Sequence, residues 1–341
     1  MASVNGRFLA RPVTGVERYA HEVMLRLGPR LRIVRAPPWA TGVSGHLWEQ
    51  LVLPRRVRGD SLLWSPANSG PVAVKNQVVT IHDVSPIDHP EWFRTAFAGL
   101  FQTLVPRLVR RARRVITSSR FSRDRILEIC SLDPDRVVVI YPGVDRGRFH
   151  PPLPREIQEV RLRYGLPEPY LLAVGSRSLR KNLGVLVSAW KILRPRCPHL
   201  GLVIVGSATH TARGADFGTP HPGIRLLGRV PDSDLPALYG AAGAFVYPSL
   251  YEGFGLPVLE AMACGTAVLA SNRGGVPEAV GDAGMLFDPE SPEELARGIE
   301  ELLEDPTRRR DGVARGLRRA RELSWERTAQ GVLETLTEAR R

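Results

Sequence analysis

The fold of this chain is decided by the stretch VYPSLYEGFGLPVLEAMACG, residues 246–265. It begins as the end of an apolar strand, which Pro248 and Ser249 close. A loop rich in glycine follows, and Pro257 then starts a short helix that ends near Gly265. A buried strand, a glycine-containing loop and a helix in this order predict one β-α unit of a parallel sheet.

Short apolar runs of the same kind recur on both sides of this stretch. Each run is rich in β-branched or aliphatic residues, ends at a glycine or a polar turn, and is followed by a helical pattern. The runs are 77–81, 114–117, 137–140, 170–174, 202–205, 244–247 and 267–270. Continuous apolar runs between helices are typical of strands buried on both faces, so we predict an α/β fold with parallel sheets.

A proline-rich segment divides the chain at residues 150–154, because its prolines fit neither a helix interior nor a central strand. The segment predicts two doubly wound, Rossmann-like domains, residues 1–150 and 151–322, that face a central crevice. The carboxyl ends of the strands are where such sheets bind ligands, so the crevice is the expected site. Residues 323–341 are expected to form a C-terminal helix that packs back towards the first domain.

The composition excludes several classes of protein. Hydrophobic residues make up 43% and charged residues 24%, which is typical of a globular protein and not of a disordered, collagen-like or coiled-coil chain. No apolar run approaches the roughly 18 residues of a spanning helix, and the first residues do not resemble a signal peptide. Three widely spaced cysteines predict neither a disulfide framework nor a zinc site. We therefore expect a cytoplasmic protein.

Positive charge is concentrated in the first part of the chain. Residues 1–150 carry 23 Lys and Arg against 12 Asp and Glu, a net charge of +11, whereas residues 151–341 carry 24 against 23, a net charge of +1. Residues 101–125 hold eight arginines against one acid. From Phe93 onward apolar residues recur at helical spacing beside arginines, and Pro106 is expected to break the pattern into two pieces.

This basic pattern has two interpretations. A basic amphipathic helix would dock on an anionic membrane, which would make the protein peripheral at the inner face of the membrane. Alternatively, the helix packs its apolar face on the sheet and leaves its arginines in solvent. An arginine-rich surface also suits a nucleic-acid-binding protein, but aromatic residues are only 7% and no reading element appears, so no nucleic-acid partner is expected.

The opening stretch also carries the candidate chemistry. Glu252 lies in the loop and Glu260 about one turn into the helix, so both carboxylates are expected to face the crevice. A carboxylate accepts two hydrogen bonds, which suits the vicinal hydroxyls of a ribose or a hexose. Because the glycines let the backbone approach a ligand, the amides of Phe254, Gly255 and Leu256 are candidate donors to it.

A second candidate anion site lies near the start of the chain. Thr14 and Glu17 have the spacing of a capping box and predict a helix that begins there. The first turn of a helix has backbone N–H groups to spare, so Gly15 is a candidate for binding an anion.

The run 246–265 resembles the glutamate–seven–glutamate motif of the family-four retaining glycosyltransferases, which have the GT-B fold. The resemblance extends along most of the chain. Further segments that are similar to those of the family are 174–182, 226–230, 271–278, 81–83 and 141–145. The beginning of the chain and the His82-Asp83 step most resemble bacterial mannosyl- and rhamnosyltransferases of polysaccharide assembly.

The resemblance implies a retaining, metal-independent hexosyltransferase without a cofactor. Its donor would be a GDP-, UDP- or TDP-linked sugar, and its acceptor a hydroxyl of a glycan or a lipid-linked sugar, or else of a soluble natural product. Glu260 would bind the ribose of the donor and Glu252 the transferred sugar. Lys181, helped by Arg180, would neutralise the diphosphate leaving group, on which negative charge develops. His82 would lie beneath the reacting sugar.

The chain departs from the family pattern at one position. Many members place an arginine directly after the glycine that corresponds to Gly175, whereas Ser176 stands there in this chain and Arg177 follows. Either Arg177 contacts the phosphate from a shifted position, or Arg180 and Lys181 act alone.

Overall fold

The chain divides into two units in the computed structural model, which describes residues 2–57, 61–208 and 223–341 together with Ala212 and Gly214. The N-terminal unit comprises Met1–Pro90, Thr95–Gly143 and Trp325–Arg341, and the C-terminal unit comprises Glu91–Arg94 and Val144–Ser324. The division along the chain therefore falls ahead of the proline-rich segment, and the last helix belongs to the N-terminal unit.

The N-terminal unit contains, in its described residues, a parallel sheet of six strands in the order β2-β1-β3-β4-β5-β6. The strands are β1 Ala2–Gly6, β2 Leu31–Arg35, β3 Leu63–Ser65, β4 Gln77–Thr80, β5 Arg114–Thr117 and β6 Val137–Val139. The helices are α1 Gly15–Leu27, α2 Gly42–Leu47, α3 Leu53–Arg56, α4 Ser85–Asp88, α5 Thr95–Arg111, α6 Arg120–Cys130 and α14 Trp325–Glu338.

Helix α5 is continuous through Pro106, so the predicted break at this residue is wrong. Phe101 and Leu108 of the helix pack in the same core as Val79 of β4 and Val115 of β5. Burial of such side chains contributes about 1.5–3 kcal/mol each, which offsets the cost of about 3 kcal/mol for a proline inside a helix. The apolar face of α5 is therefore covered by the sheet, as in the second of the two interpretations.

The C-terminal unit likewise has a six-stranded parallel sheet in the part of it that the structure describes, in the order β12-β11-β10-β7-β8-β9. The strands are β7 Tyr170–Val174, β8 Gly201–Val205, β9 Ile224–Gly228, β10 Ala244–Tyr247, β11 Val268–Ser271 and β12 Met285–Phe287. The helices are α7 Pro154–Tyr164, α8 Leu183–Leu193, α9 Leu235–Gly240, α10 Leu256–Ala263, α11 Val276–Val280, α12 Pro292–Glu304 and α13 Pro306–Glu322.

The two middle strands of this sheet, β7 and β10, mark its topological switch point. The chain proceeds from β7 to β8 and β9 on one side, and from β10 to β11 and β12 on the other. Both middle strands are apolar and buried because helices cover the two faces of the sheet. The loops that follow β7 and β10 diverge at the switch point, which is where open α/β sheets bind ligands.

Candidate functional site

The loops after β7 and β10 carry most of the residues that the sequence predicted as donor-binding. The loop after β7 contains a short 3-10 turn, Leu179–Lys181, and the loop after β10 leads into α10. The two loops are joined by hydrogen bonds. The backbone N–H of Leu250 donates to the carbonyl of Arg180 at 2.9 Å, and the Arg180 guanidinium donates to the carbonyl of Tyr251 at 2.7 Å.

Glu252 pairs with both of the predicted cations. Its Oε2 lies 2.8 Å from Nη1 of Arg180, and its Oε1 lies 2.6 Å from Nζ of Lys181. The Glu252 residue is only 8% exposed. Burial alone would raise the pKa of this carboxyl, but the Arg180 and Lys181 charges outweigh burial and hold the pKa at about 2. The cluster therefore contains two cations and one carboxylate at neutral pH.

Tyr247, at the end of β10, also belongs to this cluster. The ammonium of Lys181 donates a hydrogen bond to the Tyr247 hydroxyl at 2.7 Å. Burial and the charge of Glu252 raise the pKa of Tyr247 well above its usual value, so the hydroxyl stays protonated. Sequence reasoning did not identify this tyrosine, although its position at the last residue of a switch-point strand was a usable signal.

A pair of glycines holds the backbone of Glu252 in place. The N–H of Gly275 donates to the carbonyl of Glu252 at 2.8 Å. Gly274 has a φ of +61°, and a Cβ atom built on it would lie 2.8 Å from the carbonyl oxygen of Glu252. A side chain at this position would therefore displace the backbone of Glu252 as well as strain its own.

Glu260 lies on α10, where Gly255 makes the turn into the helix with a φ of +119°. The Glu260 residue is 7% exposed, and its carboxylate accepts a hydrogen bond from the Tyr239 hydroxyl of α9 at 3.0 Å. Burial and the Glu260 charge raise the pKa of Tyr239 far above its ordinary value, so this hydroxyl remains a donor. Phe254 and Gly255 are buried beside the helix start, and Leu256 is half-buried.

Arg177 is half-buried in the loop after β7. Its backbone N–H donates to the carbonyl of Ser207 at 3.1 Å. Its Nε is buried and has no hydrogen-bond partner among residues 2–57, 61–208 and 223–341. The side chain thus has hydrogen-bonding capacity for a ligand, whereas Ser176 hydrogen-bonds with Ser178, their hydroxyl oxygens being 3.3 Å apart.

His82 belongs to the N-terminal unit and follows β4. The ring is buried, packs edge-on against Tyr19 with centroids 4.6 Å apart, and places Nε2 3.3 Å from the carbonyl oxygen of Pro66. The backbone carbonyl of His82 accepts hydrogen bonds from the hydroxyls of Ser118 and Ser122 at 2.8 and 3.0 Å. Burial lowers the pKa of His82 to about 4, so its imidazole is neutral at physiological pH.

Gly15 is the exposed first residue of α1 in the same unit. One hydrogen bond of the predicted capping box is present: the N–H of Thr14 donates to the Glu17 carboxylate at 3.1 Å. Glu17 also pairs with Arg11 at 3.1 Å. The guanidinium of Arg11 is thus paired with the carboxylate of Glu17, in the first turn of α1.

Sequence reasoning missed a buried ionic cluster in the N-terminal unit. Glu49 is fully buried, and it accepts hydrogen bonds from Asn5 at 2.6 Å, Ser69 at 3.0 Å and Arg7 at 3.1 Å. Burial acts to raise the pKa of Glu49, but His46 and Arg7 outweigh it and lower the pKa. Asn5 lies within β1 near its carboxyl end, and Arg7 follows the strand directly. Because this strand was not predicted from the sequence, no local pattern pointed to the cluster.

Two absences hold for the described residues. Nowhere in those residues do three or more His, Cys, Asp or Glu side chains come together as metal ligands would. Across the described ranges, moreover, every helix is too short or too polar to cross a bilayer.

Two family models match the chain. The model of Glycosyltransferase Family 4 matches residues 57–148, and the model of Glycosyl transferases group 1 matches residues 155–318.

Two curated relatives are similar to a large part of this chain. The O-antigen chain mannosyltransferase B of Escherichia coli is 36% identical over 270 residues, which cover 75% of this chain and 68% of that protein. The D-inositol 3-phosphate glycosyltransferase of Salinispora arenicola is 38% identical over 252 residues, which cover 68% of this chain and 56% of that protein. The chain thus spans about two thirds of the first relative and little more than half of the second.

Solved structures confirm the predicted fold class. HepE of Anabaena, solved in complex with UDP and glucose, matches with a TM-score of 0.76 and 21% identity, over 98% of both chains. At this identity the likeness concerns the fold alone. Together with the family models and the relatives, it shows that the chain belongs to the group 1 glycosyltransferases of family 4 and has the GT-B fold.

Proposed function

We propose that this protein moves a hexose, with retention of configuration, from a nucleoside-diphosphate sugar to a hydroxyl of a glycan or lipid-linked acceptor. The observation that carries the proposal is the cluster of Arg180, Lys181 and Glu252 between the loops that follow the two switch-point strands. The E. coli relative acts on an O-antigen chain, and the HepE structure holds UDP and glucose. Both support a sugar nucleotide as the donor and a glycan as the acceptor.

The electrostatics of the cluster suit a diphosphate. Two cations share one carboxylate, so a net positive charge remains on groups that are mostly removed from water. Departure of a nucleoside diphosphate develops negative charge, and preorganised cations in a water-poor site stabilise that charge without reorganisation. We assign this role to Lys181 and Arg180, with Arg177 as an additional phosphate contact. Glu252 would then accept hydrogen bonds from the hydroxyls of the transferred sugar.

We assign the nucleoside end of the donor to Glu260. One oxygen of its carboxylate is held by Tyr239, which orients the group for a ribose diol. The backbone amides of Phe254, Gly255 and Leu256, at the start of the same helix, are the proposed donors to the ligand beside it.

We assign His82 and Gly15 of the N-terminal unit to the reacting sugar and the diphosphate, respectively. A neutral, buried imidazole holds a sugar hydroxyl by a hydrogen bond without introducing a charge. The exposed backbone of Gly15, in the first turn of α1, suits an anion. On this assignment protein cations, and no metal, balance the leaving group. We place the enzyme in the cytoplasm, where sugar nucleotides are the donors.

The proposal is tested by hexose transfer from UDP-, GDP- and TDP-linked donors to a lipid-linked saccharide, with the anomeric configuration of the product read by NMR. We expect a retained configuration. Lys181→Met should lower kcat by a factor of about a hundred or more, as loss of one preorganised charge does elsewhere. Lys191→Met, an exposed lysine of α8, is the matched control and should stay within about twofold of the wild type. An inverted product, or equal loss in both variants, would refute the proposal.

A further inference from the structure

The turn that follows β3 lies beside His82 in the N-terminal unit. Strands β3 and β4 are parallel neighbours in the sheet, so the residues that follow each of them meet at the same edge. The side-chain oxygen of Asn68 accepts a hydrogen bond from the backbone N–H of His82 at 2.7 Å. The backbone N–H of Asn68 donates to the carbonyl of Thr80 at 3.1 Å. We call residues 66–70 the β3 turn.

One carbonyl of the β3 turn decides which nitrogen of the His82 ring carries the proton. Nε2 lies 3.3 Å from the carbonyl oxygen of Pro66, and a carbonyl oxygen only accepts hydrogen bonds. Nε2 is therefore the protonated nitrogen. Because burial lowers the pKa of His82 to about 4, the ring is neutral at physiological pH and Nδ1 keeps its lone pair. Nδ1 has no hydrogen-bond partner in the part of the chain that the structure describes.

The position of this proton decides what the ring can bind. With Nδ1 as an acceptor, the ring takes a hydrogen bond from a hydroxyl group, whereas a ring with its proton on Nδ1 donates there instead. Both tautomers are available to a neutral imidazole, and the hydrogen bond made by one nitrogen selects between them. Displacement of the Pro66 carbonyl would therefore release His82 to the other tautomer.

Glu49 anchors the β3 turn. Its Oε1 accepts a hydrogen bond from the Ser69 hydroxyl at 3.0 Å, and the oxygen of that hydroxyl accepts one from Nη1 of Arg7 at 3.2 Å. The carbonyl of the next residue, Gly70, accepts a hydrogen bond from the side chain of Gln50 at 2.8 Å. The β3 turn is thus tied to two consecutive residues of one helical turn.

The contacts of Glu49 contribute position more than stability. Glu49 is fully buried, and Ser69 is 5% exposed. A buried ion pair such as that of Glu49 with Arg7 gains little net free energy, because both charges leave water. The carboxylate instead fixes three segments relative to one another, through Asn5, Arg7 and Ser69.

We propose that Glu49 is a positioning residue that acts on His82 through the β3 turn. The carboxylate fixes Ser69, the turn then fixes the Pro66 carbonyl, and this carbonyl keeps the proton of the ring on Nε2. A hydroxyl of the reacting sugar donates its hydrogen bond to Nδ1. The inference rests on the proposed function for the role of His82, but its structural part concerns the tautomer alone.

The test is NMR of the ring nitrogens in the whole protein with isotope-labelled histidine, the signals of His82 being assigned with His82→Asn. We expect a protonated Nε2 and an unprotonated Nδ1 in the wild type. Ser69→Ala cuts the link from Glu49 to the β3 turn and should populate the form with the proton on Nδ1. It is preferred to Glu49→Gln, which leaves Arg7 buried without its counter-charge. Ser44→Ala, at a half-buried residue of α2 whose hydroxyl bonds a backbone carbonyl, is the matched control and should keep the wild-type tautomer.

The kinetics of hexose transfer provide the second readout. Ser69→Ala should lower kcat roughly three- to tenfold, the equilibrium factor of one hydrogen bond. Its KM for the donor should stay within about twofold of the wild type, because the cations and glutamates assigned to the donor lie in the C-terminal unit.

Three results would each overturn the inference. They are a wild type with the proton on Nδ1, a Ser69→Ala variant that keeps the wild-type tautomer, and a kcat of Ser69→Ala equal to that of Ser44→Ala. A folded wild type without transferase activity would refute the proposed function instead, and the tautomers of the two variants would then decide the inference alone.

Discussion

Glu252→Gln removes the carboxylate that lies between the buried Lys181 and the half-buried Arg180, and the structure gives the size of the expected loss of stability. The pKa of Glu252 is held at about 2, whereas an unperturbed glutamate titrates at 4.5. A difference of this size corresponds to about 3 kcal/mol of stability at neutral pH. The variant also leaves Arg180 and Lys181 without their shared counter-charge. We expect its melting temperature to fall by about 6–12 °C, given the size of the C-terminal unit.

The pH dependence of this difference follows from the direction of the shift. A carboxyl whose pKa is lowered in the folded state stabilises the protein above its unfolded pKa. That stability is lost as the pH falls through the folded value. The difference in unfolding free energy between wild type and Glu252→Gln should therefore be constant near pH 7 and shrink between about pH 5 and pH 2.

The assay is urea unfolding at several pH values, with Glu290→Gln as the matched control. Glu290 also pairs with an arginine, Arg273, at 3.2 Å, but this pair is exposed and should contribute less than about 1 kcal/mol. If Glu252→Gln is no less stable than the control, or if its deficit does not change with pH, the reasoning about the buried cluster is refuted.

Two further predictions concern a backbone contact and a buried ring. Gly274→Ala and Gly281→Ala both place a side chain at a φ near +60°. A Cβ atom at position 274 would lie 2.8 Å from the carbonyl oxygen of Glu252, whereas a Cβ atom at position 281 would approach the side chain of Arg319. We expect kcat to fall at least tenfold in Gly274→Ala and to change less in Gly281→Ala. Equal values of kcat in the two variants would contradict the proposed displacement of Glu252. Burial lowers the pKa of His82 to about 4, so protonation favours the unfolded state between about pH 6.5 and pH 4. The free energy of unfolding should therefore decrease as the pH falls through this range. In His82→Asn the unfolding free energy should depend less on pH over this range. An unchanged pH dependence would contradict the buried, neutral state of the ring.

The sheets could be predicted from the sequence wherever a strand is a continuous apolar run. The runs at 170–174 and 244–247 became β7 and β10 because both faces of those strands are buried. Strand β1, Ala2–Gly6, was not predicted, since Ser3 and Asn5 interrupt its apolar pattern although every residue in it is buried. Burial there is set by neighbouring strands and by the Glu49 cluster, which no local pattern reveals.

The site was predicted less completely than the fold. The residue types and their order along the chain identified Lys181, Arg180 and Glu252 as candidates. Their mutual pairing was not predicted, because the two loops are far apart in sequence and meet only when β7 and β10 lie side by side. The hydrogen bond from Tyr239 to Glu260 was missed because it joins two different helices, α9 and α10, whose packing the local pattern does not reveal. The roles of these residues remain predictions.

The most direct test of the central claim is calorimetric titration of the protein with UDP, GDP and TDP, with and without EDTA. We expect one nucleotide to bind, with an affinity that EDTA does not change. Glu260→Gln should weaken binding roughly tenfold to a hundredfold, since a charged hydrogen bond contributes about 1.5–3 kcal/mol. Tyr239→Phe should weaken binding less. Tyr170→Phe, whose hydroxyl donates to the carbonyl of Leu238 in the same region, should leave binding unchanged. Folded protein that binds none of the three, or a Glu260→Gln variant that binds as well as the wild type, would contradict the account.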